Sequence, residues 1–433
     1  MEQDIFYYGD TNRKMSNRQK LILNFLSLIL VGILTIFALF ILHNPATNTS
    51  SAIANPACGT PGENGENCDL EIKNDFPEST LTPETLITIV PSVDIEPIIP
   101  PTLSIIDAEP SSSNNALATP LPCPVNVTGG LVTEMQAIIE AMPLVGSNGF
   151  VPPTDAHIAG WELLVQAVVN YDLLAACSII QTYGFPYELV QFTDDFFEDQ
   201  QYVMLRETIP IQAGWGTYVF RTNPDATPLV VEIPHPQADW NTEIEGVEIF
   251  RKVNARALLV AGTHRCANDA FSPCAGVTIA CGQVEPYRIS DVGHGVQNMF
   301  HATHRALVDC RSKTVSIQLH GNSVSNCPDV FVSNGTTKPG AMAETITDAI
   351  ASSCRDYKVD LADGEAGECA FTGGAAPQAV LTNSCRWSNL PDACTGYVLR
   401  PSGPDQFISI EQSVKVRQNF DCLVSALDEI FNP

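Results

Sequence analysis

Six of the eight histidines in this 433-residue chain fall between positions 235 and 320. His235 follows the β-forming run PLVVEIP, His264 and Arg265 follow ARALLVAGT, His320 follows TVSIQL, and Glu411 follows QFISI. Four predicted strands thus each deliver a chemically able residue at the carboxyl end, the edge where open α/β sheets bind ligands. Polar residues also simply mark where strands stop. That accounts for one or two such ends better than for three histidines and a glutamate.

Two imidazoles, one carboxylate and an open position for water make a catalytic zinc shell. His235 and His320 are expected to supply the imidazoles from separate strands. Glu243, at the start of a predicted helix over 243–253, is expected to supply the carboxylate, with Asp239 as its substitute. An acid in a first turn also suits the helix dipole, which accounts for Glu243 equally well. His301 and His304 form a rival pair, three residues apart on one helical face in MFHATHRAL. They are ligands, pocket walls or core groups on this reading, and His304 is assigned to substrate contact. His264 and His294 stand as near-site residues. The chain has no His-Glu-x-x-His signature.

Hydrolysis at a metal also needs a base for the water and a cation for the developing oxyanion. Glu411 is expected to be the base, because an acid in an apolar run is costly to bury unless paired or functional. An edge position facing water is the alternative. Arg265 is expected to polarise the carbonyl or grip a substrate carboxylate, with Asn268 beside it and Arg400 and Arg417 as further candidates. Other chemistries fit worse. There is no Gly-x-Ser-x-Gly elbow, and the glycine-rich GEAGECAFTGGAAP matches neither a Walker loop nor a dinucleotide fingerprint. A formal charge of -27 disfavours nucleic acid, whose phosphates need a basic surface.

The elements that must position these residues begin at about residue 123. Helical spacing runs through 131–142, 157–171, GVQNMFHATHRALVD, AMAETITDAIAS and the stretch from Ser413 to about Phe431. It alternates with short β-rich runs at 216–220, 228–233, 255–262, 314–319 and 406–410. This predicts an α/β fold with a mixed, mostly parallel sheet covered on both faces. Before it, residues 1–20 read as a cytoplasmic tail. Residues 21–42 carry no charge and span about 33 Å as a helix, enough for a lipid bilayer. Residues 43–122 form a Pro/Ser/Thr-rich stalk. Arg13, Lys14, Arg18 and Lys20 precede the apolar run and the next basic residue is Lys73, so the C-terminal domain is expected outside the cytoplasm. Cleavage near Ala52-Ile53-Ala54 is the alternative to a retained anchor. Fourteen cysteines without a Cys-x-x-Cys pair fit disulfides in an oxidising compartment, with Cys58–Cys68 as a local loop.

The order of these motifs resembles the N-formylglutamate amidohydrolase group, itself similar to zinc carboxypeptidases. The parallels are the PH of EIPHPQAD, the acid of NTEIEGVEIF, the Arg and Asn of GTHRCAND, the histidine of HATHRAL, the LH of SIQLHGN and the glutamate of FISIEQS. The resemblance covers roughly residues 228–320 and 400–425. It implies metal ligands at His235, Glu243 and His320, substrate or oxyanion contacts at Arg265 and Asn268, a base at Glu411, and a three-layer αβα fold. The chain departs from the group with His-Pro-Gln at the first ligand, with Thr242-Glu243 in place of an acidic pair, and with its cysteines, anchor and stalk.

The leading expectation is a membrane-anchored zinc hydrolase acting on a peptide or acyl-amino-acid substrate. The alternatives are a non-catalytic, disulfide-stapled binding module, for which His235, His320 and Glu411 would lie apart, and a metal-dependent esterase or deacetylase.

Overall fold

The computed structural model describes residues 123–308, 313–324, 327–363, 369, 371–384, 390–396 and 405–433. The expected tail, membrane helix, stalk and Cys58–Cys68 loop, and Arg400, lie outside the described residues. Among those described, no helix is long and apolar enough to cross a membrane.

Ten strands form one sheet: β1 (Val125–Gly129), β2 (Tyr187–Asp194), β3 (Gln200–Glu207), β4 (Thr217–Phe220), β5 (Thr227–Ile233), β6 (Ala255–Val260), β9 (Val315–Gly321), β10 (Val330–Ser333), β11 (Val359–Leu361) and β12 (Phe407–Gln412). Their order is β1-β2-β3-β4-β6-β5-β9-β12-β10-β11. The central run β6-β5-β9-β12 is parallel throughout. Antiparallel pairs occur on either side of it, so the sheet is mixed. β7 (Val277–Thr278) and β8 (Glu285–Pro286) form a separate two-stranded ribbon.

Helices cover both faces. Against one lie α1 (Leu131–Ala141), α4 (Thr242–Lys252), α6 (Ala341–Ser353) and α10 (Asp421–Phe431), packed on Val231, Ile317, Leu319 and Ile410. Against the other lie α2 (Asp155–Val169), α3 (Leu173–Tyr183), α5 (Met299–Leu307) and α7 (Pro377–Ser384). Shorter helices are α8 (Leu390–Thr395) and α9 (Val414–Gln418). The period-2 alternation of strand side chains explains the division. In the central strands, Leu229, Val231, Ile233, Val315, Ile317, Leu319, Ile408 and Ile410 feed the first core. The intervening Glu232, Gln318, His320, Ser409 and Glu411 fall on the opposite face, an unusually polar stripe for a buried sheet.

The expected continuous last helix is two helices, since the chain leaves helical geometry at Asn419, with φ -146°. Five disulfides join described residues: Cys123–Cys177, Cys266–Cys281, Cys274–Cys394, Cys327–Cys369 and Cys354–Cys422. Two of them staple the long 261–291 connection that follows β6 and ends beside the candidate site.

Candidate metal centre

His235 lies two residues beyond the end of β5. The backbone then makes a single helical turn, with the N–H of Asp239 donating to the His235 carbonyl at 2.8 Å. That turn puts side chains four apart on one side, and Asp239 Oδ2 comes 3.3 Å from His235 Nδ1. His320, at the end of β9, brings its Nδ1 to 3.7 Å from the same oxygen. One donor atom each from His235, Asp239 and His320 lies within 4.8 Å of the others, and all three residues are buried. Asn241, with φ 72°, then turns the chain into α4.

The far side of His235 is held as firmly. Its Nε2 lies 2.9 Å from Asp291 Oδ1, and Arg265 reaches Asp291 Oδ2 with Nε at 3.0 Å and Nη2 at 2.6 Å. His294 Nδ1 meets Asp291 Oδ1 at 3.0 Å, and its ring stacks on Tyr287 with centroids 3.9 Å apart. Burial would raise the Asp291 carboxyl, but Arg265, His294 and His235 hold it well below the ordinary carboxylate range. Burial likewise opposes ionisation of Asp239, and the neighbouring His235 and His320 overcome it, again lowering the carboxyl. His235 is pushed down by burial and by Arg265, yet Asp291 and Asp239 raise it overall.

These residues fit a divalent cation. Asp291, ionised, only accepts, so His235 carries a proton on Nε2 and in its neutral form turns the Nδ1 lone pair toward the Asp239 carboxylate. At 3.3 Å these two atoms need a positive charge between them, which a proton on Nδ1 or a bound cation supplies. Two imidazole nitrogens and one carboxylate oxygen are the donor types zinc prefers, with a fourth position left for water or substrate. A second group whose donor atoms lie within 4.8 Å of one another, His235, Asp291 and His294, shares His235. Its carboxylate is already occupied by Arg265.

Glu411 pairs in register with His320 across β12 and β9. Burial pushes its carboxyl up to about 7 against the opposing pull of His320, Arg265 and Arg417, with Asp239 adding to the rise.

Other expected site residues are placed differently. Glu243 does not join the three donors; Asp239 takes that position. Glu243 sits in the first turn of α4, where burial raises its carboxyl while the backbone of Glu243 and Asn241, together with Arg417, favours ionisation. Both ends of the Asn268 amide are bonded to the Phe150 backbone, accepting from its N–H at 3.0 Å and donating to its carbonyl at 2.9 Å. His304 is wholly buried, its two ring nitrogens engaged by Glu232 and Thr382. It is a core residue, not a substrate contact. Arg265 is in the site, but Asp291 takes its Nε and Nη2, and Nη1 lies 3.4 Å from His235 Nδ1. Its guanidinium therefore clamps the ligand sphere instead of pointing free at a carbonyl. Arg417 donates to the Trp240 carbonyl, and its guanidinium packs against Gly321, where a Cβ would lie 2.6 Å from Cζ. His264 accepts from the Cys266 N–H, and His301 lies buried with no partner for either nitrogen among the described residues.

Sequence reasoning missed Asp291, Glu232 and Gln318. Glu232 did carry a signal: it is an acid inside the apolar run LVVEI, the same feature that singled out Glu411.

No family model matches this chain, and no curated protein matches it. Solved structures do, and as a class they are amidohydrolases and metallo-carboxypeptidases. In particular, the chain is similar to N-formylglutamate amidohydrolase from Ralstonia eutropha (13% identity, 50% of this chain and 96% of that one, TM-score 0.29). It is similar to a bacteriophage poly-gamma-glutamate hydrolase (14% identity, 49% and 86%, TM-score 0.27). A metallo-carboxypeptidase from Burkholderia cenocepacia is a third such structure (10% identity, 65% and 69%, TM-score 0.28).

Proposed function

We propose that this chain is a zinc-dependent hydrolase of amide or peptide bonds, with His235, Asp239 and His320 as metal ligands and Glu411 as general base. One observation carries the reading: two imidazoles and a carboxylate converge within 4.8 Å, with a buried acid in register beside one of them. A binding module with no chemistry would not need this convergence.

A divalent cation at these donors supplies Lewis acidity toward a carbonyl and a water molecule. The protein's own groups do the rest. Glu411 takes a proton from the attacking water and returns it to the leaving amine. Asp291, braced by Arg265, fixes the ring of His235. The substrate class is a peptide or acyl-amino acid. Five disulfides among the described residues support an oxidising, extracytoplasmic setting, with residues 21–42 as the bilayer anchor.

The test is metal analysis of the purified chain, together with product analysis on a panel of N-acyl amino acids, peptides and acyl esters. About one zinc per chain and amide cleavage abolished by a chelator are expected. A chain that takes up no zinc and gains no activity with it refutes the reading, and cleavage of esters alone favours the esterase alternative.

A further inference from the structure

Behind the strand ends, buried side chains form one hydrogen-bonded line that finishes on His320. Thr382 Oγ1 on α7 lies 2.8 Å from His304 Nε2 on α5. His304 Nδ1 lies 2.6 Å from Glu232 Oε1 on β5. Gln318 Nε2 on β9 donates to Glu232 Oε2 at 2.8 Å, and Gln318 Oε1 faces His320 Nε2 at 3.3 Å. His304, Glu232 and Gln318 have no exposure to solvent and Thr382 almost none. Apolar residues would fill this space at less cost in desolvation, so a merely structural role does not account for a buried acid bonded to two polar side chains.

We infer that this line is a tautomer lock on His320, with Gln318 as the positioning residue and Glu232 setting its direction. As a carboxylate, Glu232 only accepts hydrogen bonds. Gln318 must therefore turn its amide nitrogen toward Glu232 and its amide oxygen toward His320. An amide oxygen also only accepts, so His320 carries its proton on Nε2. That leaves a lone pair on Nδ1, the atom that faces Asp239. The other oxygen of Glu232 takes the Nδ1 proton of His304, and Thr382 donates to His304 Nε2. Each link allows one orientation, and the order ends with the metal-facing nitrogen of His320 unprotonated. His235 reaches the same state through its direct bond to Asp291. One ligand is set by an anion in contact, the other by an anion one amide away. A carboxylate at position 318 would lie against Glu232 and repel it, whereas glutamine passes the polarity on.

The effect of this lock on metal affinity rests on the proposed zinc site; the tautomer itself does not. The experiment therefore reads both on the full chain. Long-range proton–nitrogen correlation of the imidazoles, in metal-free protein at alkaline pH, is expected to show His320 as the Nε2–H form. Gln318→Leu is expected to give a mixture or the Nδ1–H form. Zinc affinity by chelator competition is expected to fall about 10–100-fold in Gln318→Leu, the usual cost of losing an outer partner of a ligand. The double variant Glu232→Gln with Gln318→Glu keeps an acceptor facing His320 and a donor between the two positions. It is expected to hold the Nε2–H form and to bind zinc more tightly than Gln318→Leu. An Nδ1–H tautomer in the unaltered chain, no change in Gln318→Leu, or a folded double variant resembling Gln318→Leu overturns the lock. If no version binds zinc, the metal reading falls while the tautomer result still decides the lock.

Discussion

His320 and Glu411 are register partners on the neighbouring parallel strands β9 and β12. Side chains at matched positions of a parallel pair leave the sheet on the same face. An imidazole and a carboxylate therefore stand side by side at the carboxyl edge. The first strand of this trio, β5, delivers His235 just past its own end. Strand pairing thus sets His320 beside Glu411, while the turn that carries Asp239 and the 261–291 connection that carries Arg265 and Asp291 complete the centre.

The first prediction concerns that carboxylate at position 411. Burial raises its pKa to about 7, and a base works only when ionised. The rate constant kcat/KM should fall as pH drops below this value, with a slope of one. A bound cation nearby pulls the limb lower, so it should lie at or below about pH 7 in the loaded protein. Glu411→Gln should reduce kcat about 10²–10⁴-fold, the range typical of losing a general base, with zinc content unchanged. A pH–rate profile and metal analysis of the same preparations check both.

The second separates Asp239 from Glu243. Only Asp239 lies within reach of both imidazoles. Asp239→Ala should weaken zinc binding by more than the ~100-fold that removing an outer partner costs. Glu243→Ala should keep zinc binding near that of the unaltered chain. Chelator competition on both variants decides which acid is the ligand.

How far the sequence foretold this arrangement depends on the range of the interaction. The central strands were legible because each combines β-branched residues with a polar residue at its end, as in TVSIQLH and QFISIE. His235, His320 and Glu411 could be singled out for the same reason. The choice between Glu243 and Asp239 was not legible: both lie near the start of α4, and only the turn that returns Asp239 to His235 distinguishes them. Asn268 and His304 misled because an amide or imidazole near a site reads the same whether it meets substrate or backbone. Their partners, Phe150 and Glu232, are 118 and 72 residues away. Strands β1 to β3 were missed because runs such as YELVQFTD mix charged and apolar residues.

The third prediction uses His301. It is buried, its nitrogens have no partner among the described residues, and its pKa falls to about 3, through burial first and His304 second. A base whose folded pKa is depressed leaves the unfolded chain to take up protons first, so stability is lost as pH falls from about 6.5 toward 3. His301→Leu should remove that loss and raise stability by about 1–3 kcal/mol at neutral pH, the cost of an unpaired buried polar group. Thermal unfolding at pH 7 and pH 5 checks it. A destabilised variant would mean that the imidazole has a partner beyond the protein's own atoms.

The fourth concerns Glu245, wholly buried on α4. One oxygen accepts from Gln412 Nε2 at 2.9 Å and the other has no partner among the described residues. Burial lifts its pKa from 4.5 to about 8, against the pull of Gln412 and Arg417. The folded chain thus holds a proton that the unfolded chain releases near pH 4.5. Stability from this group is complete below that value and is lost as pH rises through about 8. At 1.36 kcal/mol per pH unit, the loss is on the order of 5 kcal/mol. Glu245→Gln keeps the acceptor for Gln412 and removes the ionisation. Its melting temperature should vary less between pH 5 and pH 9 than that of the unaltered chain, and it should be the more stable of the two at pH 9. Parallel melting curves for the two proteins would show Glu245 ionised at no cost, and so in contact with a cation or water, if their pH dependence were the same.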